Sequence, residues 1–456
     1  MRLYNTKSRS IEDFRPLSGK TVTMYACGPT VYDYTHIGHM RKYVGDDILR
    51  RTLTALGYEV KHVMNITDVG HLTNDSDTGD DKFEKTAQKE GKSVWDIAAF
   101  YTDYFHATMK AVNVLRPTIE AKATEHIAEM IALVEKLVAE GIAYETDHAI
   151  YFDITKDPHY GELSGQKLDD KEVAVRDDVV IDLDKRNPAD FSLWFKRVGK
   201  FADHAMYWPS PWGDGFPGWH IECSAMSMHY LGETIDIHTG GIDHIPVHHE
   251  NEIAQSECAT HKQFVRYWVH HDFLNVEGEK MSKSKENFYT IDDIVAHDIN
   301  PLAVRLLFMQ TSYRKPLNFT WEALDGANLQ LKKLQKFAAH HRQIGVIDEQ
   351  WKKAFLEGLE DDLNTARALA VVWDLLADTS ISEEDKWATL LSFDSVLGLG
   401  LEKEEKFIIT EAAEALITER DEARNNKDYE KSDRLRRELE ALGYEVLDTA
   451  KGTTLQ

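Results

Sequence analysis

The sequence predicts an α/β protein: a parallel sheet, split by a long insertion, followed by a helical C-terminal region. Three observations carry this. Residues 21–26 (TVTMYA) are β-prone, residues 36–56 have helical apolar spacing that stops at Gly57, and residues 59–64 are β-prone again. Strand, helix and strand with short joins make a βαβ unit, whose strands pair in parallel. α/β character returns at residues 234–238 and in the helical patterns flanking them. From about Pro301 the spacing is helical almost to the end, as in an α-bundle.

Taken in order, the first strand ends at Cys27-Gly28-Pro29-Thr30, and the first helix opens near His36. The second strand runs into Asn65-Ile66-Thr67-Asp68. Residues 71–81 (HLTNDSDTGDD) are polar and glycine-containing and read as a surface loop. Residues 85–145 read as helical and 148–203 as less regular, with strand-like pieces and the charged turn Lys185-Arg186-Asn187-Pro188. A helical pattern over 218–231, the strand over 234–238 and a helix from about His248 complete the sheet region. In the last predicted helix Leu435, Leu439 and Leu442 share a face, Gly443 caps it, and a strand-like tail follows over 444–447.

Composition narrows the function classes. The chain has 456 residues with 53 Lys plus Arg against 78 Asp plus Glu, a formal net charge of −25. A uniformly basic nucleic-acid binder is therefore excluded, and any RNA contact requires a local basic face. Lys185, Arg186, Lys196, Arg197 and Lys200, then Arg434, Arg436 and Arg437, are candidates for one, although each also suits an ordinary solvated surface. Cys27, Cys223 and Cys258 form no CxxC pair and are odd in number, which suits a reducing compartment. The first residues lack an apolar signal core and no stretch approaches about 18 apolar residues, so we expect a cytoplasmic protein without a membrane span.

Three groups of residues carry chemistry. His36-Ile37-Gly38-His39 falls where a helix opens after the first strand. A helix N-terminus at the C-terminal edge of a parallel sheet is an anion site, two imidazoles there can donate to phosphates, and Gly38 leaves room for a flat base. Lys280-Met281-Ser282-Lys283-Ser284 is a short polar loop able to close over a triphosphate and offset charge that shifts during its cleavage. The third group is dispersed: Cys27, Cys223 and the run His248-His249-Glu250-Asn251-Glu252. His248 and Glu252 are four apart and share a helix face. Thiolate, imidazole and carboxylate donors suit tetrahedral Zn²⁺, though buried cysteines and charged helix faces are also common without a metal.

The HIGH string followed by KMSKS resembles the signature pair of class I aminoacyl-tRNA synthetases. The fuller pattern is similar to the cysteinyl-tRNA synthetase family over nearly the whole chain. It comprises Tyr25-Ala26-Cys27-Gly28-Pro29-Thr30-Val31-Tyr32-Asp33, Asn65-Ile66-Thr67-Asp68, Gly218-Trp219-His220-Ile221-Glu222-Cys223, the His248–Glu252 run, Asp361-Asp362-Leu363-Asn364-Thr365 and Gly452-Thr453-Thr454. The resemblance implies a Rossmann-like catalytic domain and zinc held by Cys27, Cys223, His248 and Glu252, with the first histidine of the pair chosen over His249. It implies that Thr67, Trp219, His238 and Asp243 line the cysteine and adenosine pocket. His36, Gly38, His39 and Lys283 would bind ATP, with His36, His39, Lys280 and Lys283 catalytic and Mg²⁺ accompanying the nucleotide. The expected partners are ATP, L-cysteine and tRNA(Cys), and the family suggests a monomer.

The same resemblance suggests catalytic halves at 1–114 and 204–275 around a connective-peptide insertion at 115–203. A stem-contact region with the lysine loop follows at 276–310, a helical tRNA-binding bundle at 311–405 and an anticodon-binding domain at 406–456. The chain departs from the family pattern in three places. Extra residues separate Asp68 from Asp80-Asp81-Lys82. Pro246 is displaced, with His244 added upstream, so His244 and His71 are further imidazoles that could compete for metal. Lys285-Glu286-Asn287 replaces the usual Leu-Gly-Asn after the lysine loop. Three other readings share some features: a cysteine ligase with an amino-sugar acceptor, an HxGH nucleotidyltransferase, and a catalytically silent zinc-dependent RNA-binding module.

Overall fold

The computed structural model describes residues 1–70, 72, 81–166, 185–281, 287–341, 343–402, 411–441, 444, 446–449 and 452–455. The chain divides into two compact units, Met1–Leu401 and Glu402–Gln456. Among the described residues no helix is long and apolar enough to cross a membrane.

The first unit is built on five strands, β1 (Thr21–Ala26), β2 (Glu59–Ile66), β3 (Ile119–Lys122), β4 (Ile235–Gly241) and β5 (Val265–His271), in the spatial order β5-β4-β1-β2-β3. All four pairings are parallel. The order reverses between β1 and β4, which makes their C-terminal ends a topological switch point where a doubly wound sheet binds ligands. The predicted first strand has the observed bounds, and the second runs two residues further. The stretch 85–145, expected to be helical, instead holds three helices with strands Ile119–Lys122 and Ala143–Glu145 among them. Ile119, Ala121 and their neighbours are too few to show strand alternation against the helical spacing around them.

Strand parity sets what each face of the sheet carries. Val22, Met24 and Ala26 point toward the helix Ile37–Ala55, where Val44, Ile48, Leu49 and Leu53 are buried. Tyr25 and Cys27 point to the opposite face, into a core shared with Ile221, Cys223 and Met226 of the helix Trp219–Leu231 and with Ile253 and Ala254 of the helix His248–Thr260. Each such large apolar side chain contributes about 1.5–3 kcal/mol by burial.

The insertion contains an antiparallel sheet of Ala143–Glu145, Ala149–Phe152, Phe191–Lys196, Gly213–Pro217 and Trp208–Ser210, in that spatial order. This sheet continues past residue 203, and Ile119–Lys122, which follows residue 115, pairs with the central sheet. After β5 come a small three-stranded sheet and helices Ile291–Ala296, Pro301–Met309, Trp321–His340, Glu349–Glu360, Thr365–Ala377 and Glu383–Leu397. The helix Pro301–Met309 is pinned to the first helix by the buried pair Arg305 Nη2–Asp47 Oδ2 at 2.6 Å.

In the second unit helices Glu411–Asn425 and Tyr429–Ala441 pack with an antiparallel hairpin, Val446–Thr449 and Gly452–Leu455. Ala413, Leu439 and Val446 form its small core, and buried Arg420 ties Asp448 (2.7 Å) to Thr453 Oγ1 (2.6 Å). The single strand expected over 444–447 is thus a hairpin, while Leu442 of the predicted helix face and the predicted cap Gly443 lie outside the described residues.

Candidate active site and metal centre

His36 is the N-cap of the helix Ile37–Ala55 and forms a reciprocal capping box with His39. His36 Nδ1 accepts from the His39 backbone N–H at 3.2 Å, and His39 Nδ1 accepts from the His36 N–H at 3.5 Å. The rings stack with centroids 3.5 Å apart. With both Nδ1 atoms accepting, each neutral ring carries its proton on Nε2. Burial lowers His39 to about 4, opposed by the charges of Asp243 and Asp33, so at neutral pH it is a dipolar donor and not a cation. A Cβ on Gly38 would stand 2.9 Å from His36 Cε1 and Nδ1. Glycine is therefore required for the His36 ring to fold over the first turn, in addition to the room it leaves for a base.

Under the opposite face of β1, side chains from separate elements converge. The ligand atoms of Cys27, Cys223, His248 and Glu252, all buried, lie within 4.8 Å of one another. The i, i+4 spacing places His248 Nε2 3.0 Å from Glu252 Oε1. His248 Nδ1 meets His220 Nδ1 at 3.0 Å, which leaves Nε2 as the atom facing the group, and Trp219 stacks on the His248 ring at 4.2 Å. A second grouping, Cys27, His238, His249 and Glu252, shares two of the four members. In it His238 Nε2 contacts Glu252 Oε2 at 3.0 Å and His249 Nε2 lies 3.3 Å from Cys27 Sγ.

The electrostatics fit a cation. Burial raises the Cys27 thiol, and the hydrogen bond that Cys223 donates to Cys27, together with burial, pushes Cys223 well above the ordinary thiol range. Burial opposes charge on Glu252, but His238 and His248 overcome it and hold its carboxyl at about 2. Burial likewise opposes charge on His248, yet Glu252 and Cys223 raise it to about 10. A cluster that keeps both thiols protonated and recruits a proton onto an imidazole to balance one carboxylate is short of positive charge. Two thiols, an imidazole and a carboxylate match the donor set of a tetrahedral zinc ion, which would displace those protons.

The remaining predicted pocket residues divide. Trp219 lies against His248, and His238 is hydrogen-bonded to Glu252. Buried Thr67 donates to Glu222 Oε2 at 2.8 Å, directly beside Cys223 in the chain. Asp243 is exposed and acts on the charge of His39, so it faces the region between the two sites. Lys280 ends a short strand, Glu279–Lys280, whereas Lys283 and most of its loop lie outside the described residues, as does His71.

The site also includes groups that the motifs did not single out. Glu222 is fully buried, and burial pushes its carboxyl up to about 8; a lone acid among the apolar residues of the 218–231 helix was its sequence signal. Lys42 donates to the Cys27 carbonyl and pairs with Asp46 at 2.8 Å, and Asp46 in turn contacts His271 Nε2 at 3.0 Å. This chain braces the end of β1 from the first helix. The basic residues proposed for RNA are largely engaged: Lys196 with Glu145, Arg197 on Tyr207, Arg186 on Tyr144, Arg434 with Glu438 and Arg436 with Glu440.

Comparison with known proteins agrees with this arrangement. Residues 13–329 match the family model of the class I (C) tRNA synthetase catalytic domain, and residues 409–454 match that of the cysteinyl-tRNA ligase anticodon-binding domain. A cysteine–tRNA ligase of Treponema denticola is 42% identical over 494 aligned positions, covering 100% of this chain and 99% of the relative. Cysteine–tRNA ligase 1 of Burkholderia lata is 45% identical, covering 100% and 96%. Among solved structures, Mycobacterium tuberculosis methionyl-tRNA synthetase in complex with methionyl-adenylate superposes with a TM-score of 0.57 at 15% identity, over 84% of this chain and 90% of that one, which shows the shared fold. A switch-point site with paired histidines, a family model spanning most of the chain and full-length relatives above 40% identity lead to one assignment: the chain belongs to the cysteinyl-tRNA synthetase family of class I aminoacyl-tRNA synthetases.

Proposed function

We propose that this chain activates L-cysteine with ATP and transfers the cysteinyl group to the 3′ end of tRNA(Cys). The observation that carries the reading is the thiol-rich donor group beneath β1, on the same switch point as the paired histidines, in a chain of this family. In the first step a carboxylate oxygen of cysteine attacks the α-phosphorus of ATP; cysteinyl-adenylate forms and pyrophosphate, with Mg²⁺, leaves. In the second, a ribose hydroxyl of the tRNA 3′ end attacks the adenylate carbonyl and AMP leaves.

Neither step needs a covalent nucleophile from the protein, so the residues work by alignment and by placing dipoles and charges where charge develops. His36 and His39 present Nε2–H donors at the helix N-terminus toward the phosphates. Lys280 and Lys283 offset the charge of the departing pyrophosphate. Trp219, Thr67, His238 and Asp243 shape the pocket between the donor group and the histidines.

Specificity is the harder task. Rejecting serine about 10⁵-fold corresponds to roughly 7 kcal/mol, whereas pocket shape alone separates near-isosteres by about 1–3 kcal/mol. When bound at Cys27, Cys223, His248 and Glu252, a zinc ion supplies a Lewis acid that ionises a thiol and favours its thiolate far over a neutral hydroxyl. The quartet is favoured over the second grouping because it has two soft sulfur donors in place of one.

The test is transfer of labelled cysteine to total bacterial tRNA by the purified chain with ATP. Labelled RNA that takes up no serine is the expected result. Adenylate formation without transfer to RNA would instead indicate a small-molecule acceptor, and absence of both would leave a nucleotide- or RNA-binding protein.

A further inference from the structure

His244 is a group in the cleft that neither the donor quartet nor the histidine cap uses. It is half-buried on the short turn Ile242–His244 that leaves β4 at the switch point. Its ring centroid lies 5.2 Å from His248, 5.1 Å from His249 and 6.0 Å from Trp219. Even so, its nitrogens belong to neither group of donors converging within 4.8 Å, so the ring lies beside the metal centre and not within it. Its Nδ1 is shielded from solvent and has no hydrogen-bond partner. A polar atom left in that state marks a place where a ligand or water completes the pairing.

Gly240 is what admits the ring. A Cβ at that position would stand 2.8 Å from His244 Nδ1 and 2.5 Å from His249 Cε1, closer than real side chains pack. The turn also neighbours the nucleotide histidines, close enough that the charges of both Asp243 and His244 act on His39. His244 therefore stands in the wall between the donor quartet and the ATP-binding cap. An amino acid held by its sulfur at the quartet, with its carboxylate turned toward the nucleotide, must lay its α-carbon along this wall.

We propose that His244 is a substrate-binding residue whose imidazole N–H donates to the α-carboxylate of the bound amino acid and so holds it between the quartet and His39. The inference rests on the synthetase reading above. Its test uses the full-length, zinc-loaded chain and the variants His244→Phe, which keeps an aromatic ring but has no ring nitrogen, and His244→Asn, which restores a donor. Should the Phe variant not fold, His244→Leu carries the same comparison.

In cysteine-dependent ATP–pyrophosphate exchange, H244F is expected to raise the cysteine KM about tenfold or more, the worth of one hydrogen bond to a charged group. The ATP KM and the zinc content should match the wild type, and H244N should recover part of the loss. With cobalt in place of zinc, the sulfur-to-metal absorption that grows as cysteine is added should require a correspondingly higher cysteine concentration in H244F. An unchanged cysteine KM and titration midpoint in a folded variant would overturn the proposal and make the ring a packing element. Loss of metal from a folded H244F would overturn it too, by making His244 part of the metal centre. Absence of cysteine-dependent exchange in the wild-type chain would remove the synthetase reading itself, and this inference with it.

Discussion

At the residue scale, the donor quartet exists because of three spacings. Strand parity sends Cys27 to the face opposite the first helix, the helix Trp219–Leu231 presents Cys223 to that face, and the i, i+4 interval aligns His248 with Glu252. The i, i+4 interval alone was legible in the sequence. That Cys27 and Cys223 meet it depends on a crossover of nearly two hundred residues, and the family resemblance supplied that pairing where spacing could not. Removing a donor should empty the site: Cys223→Ser is expected to lose its stoichiometric zinc, read by metal analysis of the folded protein, and to lower kcat/KM for cysteine by at least about 100-fold. The histidine cap makes a separate prediction. His39→Ala removes one preorganised donor and should lower kcat of adenylate formation about 10²-fold with little change in zinc content, measured by pyrophosphate exchange. Retained kcat would mean that His39 serves the helix cap alone.

At the scale of elements, a buried ion pair joins the helices Ile37–Ala55 and Pro301–Met309. Fully buried Arg305 pairs with Asp47, which also accepts from Arg51 Nε at 2.7 Å, while Arg305 Nη1 donates to the Val112 carbonyl at 3.2 Å. Arg305→Met leaves Asp47 short of a partner and should destabilise the first unit by about 3–5 kcal/mol, read by urea unfolding. The adjacent strand β2 carries a second buried polar group. Both ring nitrogens of His62 lack a hydrogen-bond partner, and burial lowers this imidazole to about 4. An unfolded histidine titrates near about 6.5, so the unfolded chain binds this proton first. Stability is fully present above that pH and falls as pH drops toward 4, by on the order of 3 kcal/mol. The difference in unfolding free energy between wild type and His62→Phe should therefore change across pH 7 to 4; a constant difference would show that His62 does not carry the effect. Neither feature was legible in sequence, because Asp47 and Arg305 are far apart along the chain and a histidine in a strand looks the same whether buried or exposed.

For the whole molecule, the βαβ opening, the return of the sheet after an insertion and the helical C-terminal region were all readable from periodicity and Gly or Pro punctuation. The short strands Ile119–Lys122 and Ala143–Glu145 were not, because elements of three or four residues carry too few positions to display a period of two. The net charge of −25 and the local engagement of the candidate basic side chains leave RNA binding to a few positions, so few counterions are released and affinity should fall only shallowly with salt. The second unit has its own core, and a chain ending at Leu401 should keep cysteine-dependent pyrophosphate exchange while losing most of its tRNA charging. Equal loss of both activities would tie the two units together in catalysis.

In the proposed function the buried donor group selects a thiol for activation at the neighbouring histidines. Pyrophosphate exchange with cysteine and with serine, before and after metal removal and on adding zinc back, tests it most directly. Exchange with cysteine alone, lost on chelation and restored by zinc, is the expected result. Exchange that persists without metal, or that serine supports as well as cysteine does, would contradict it.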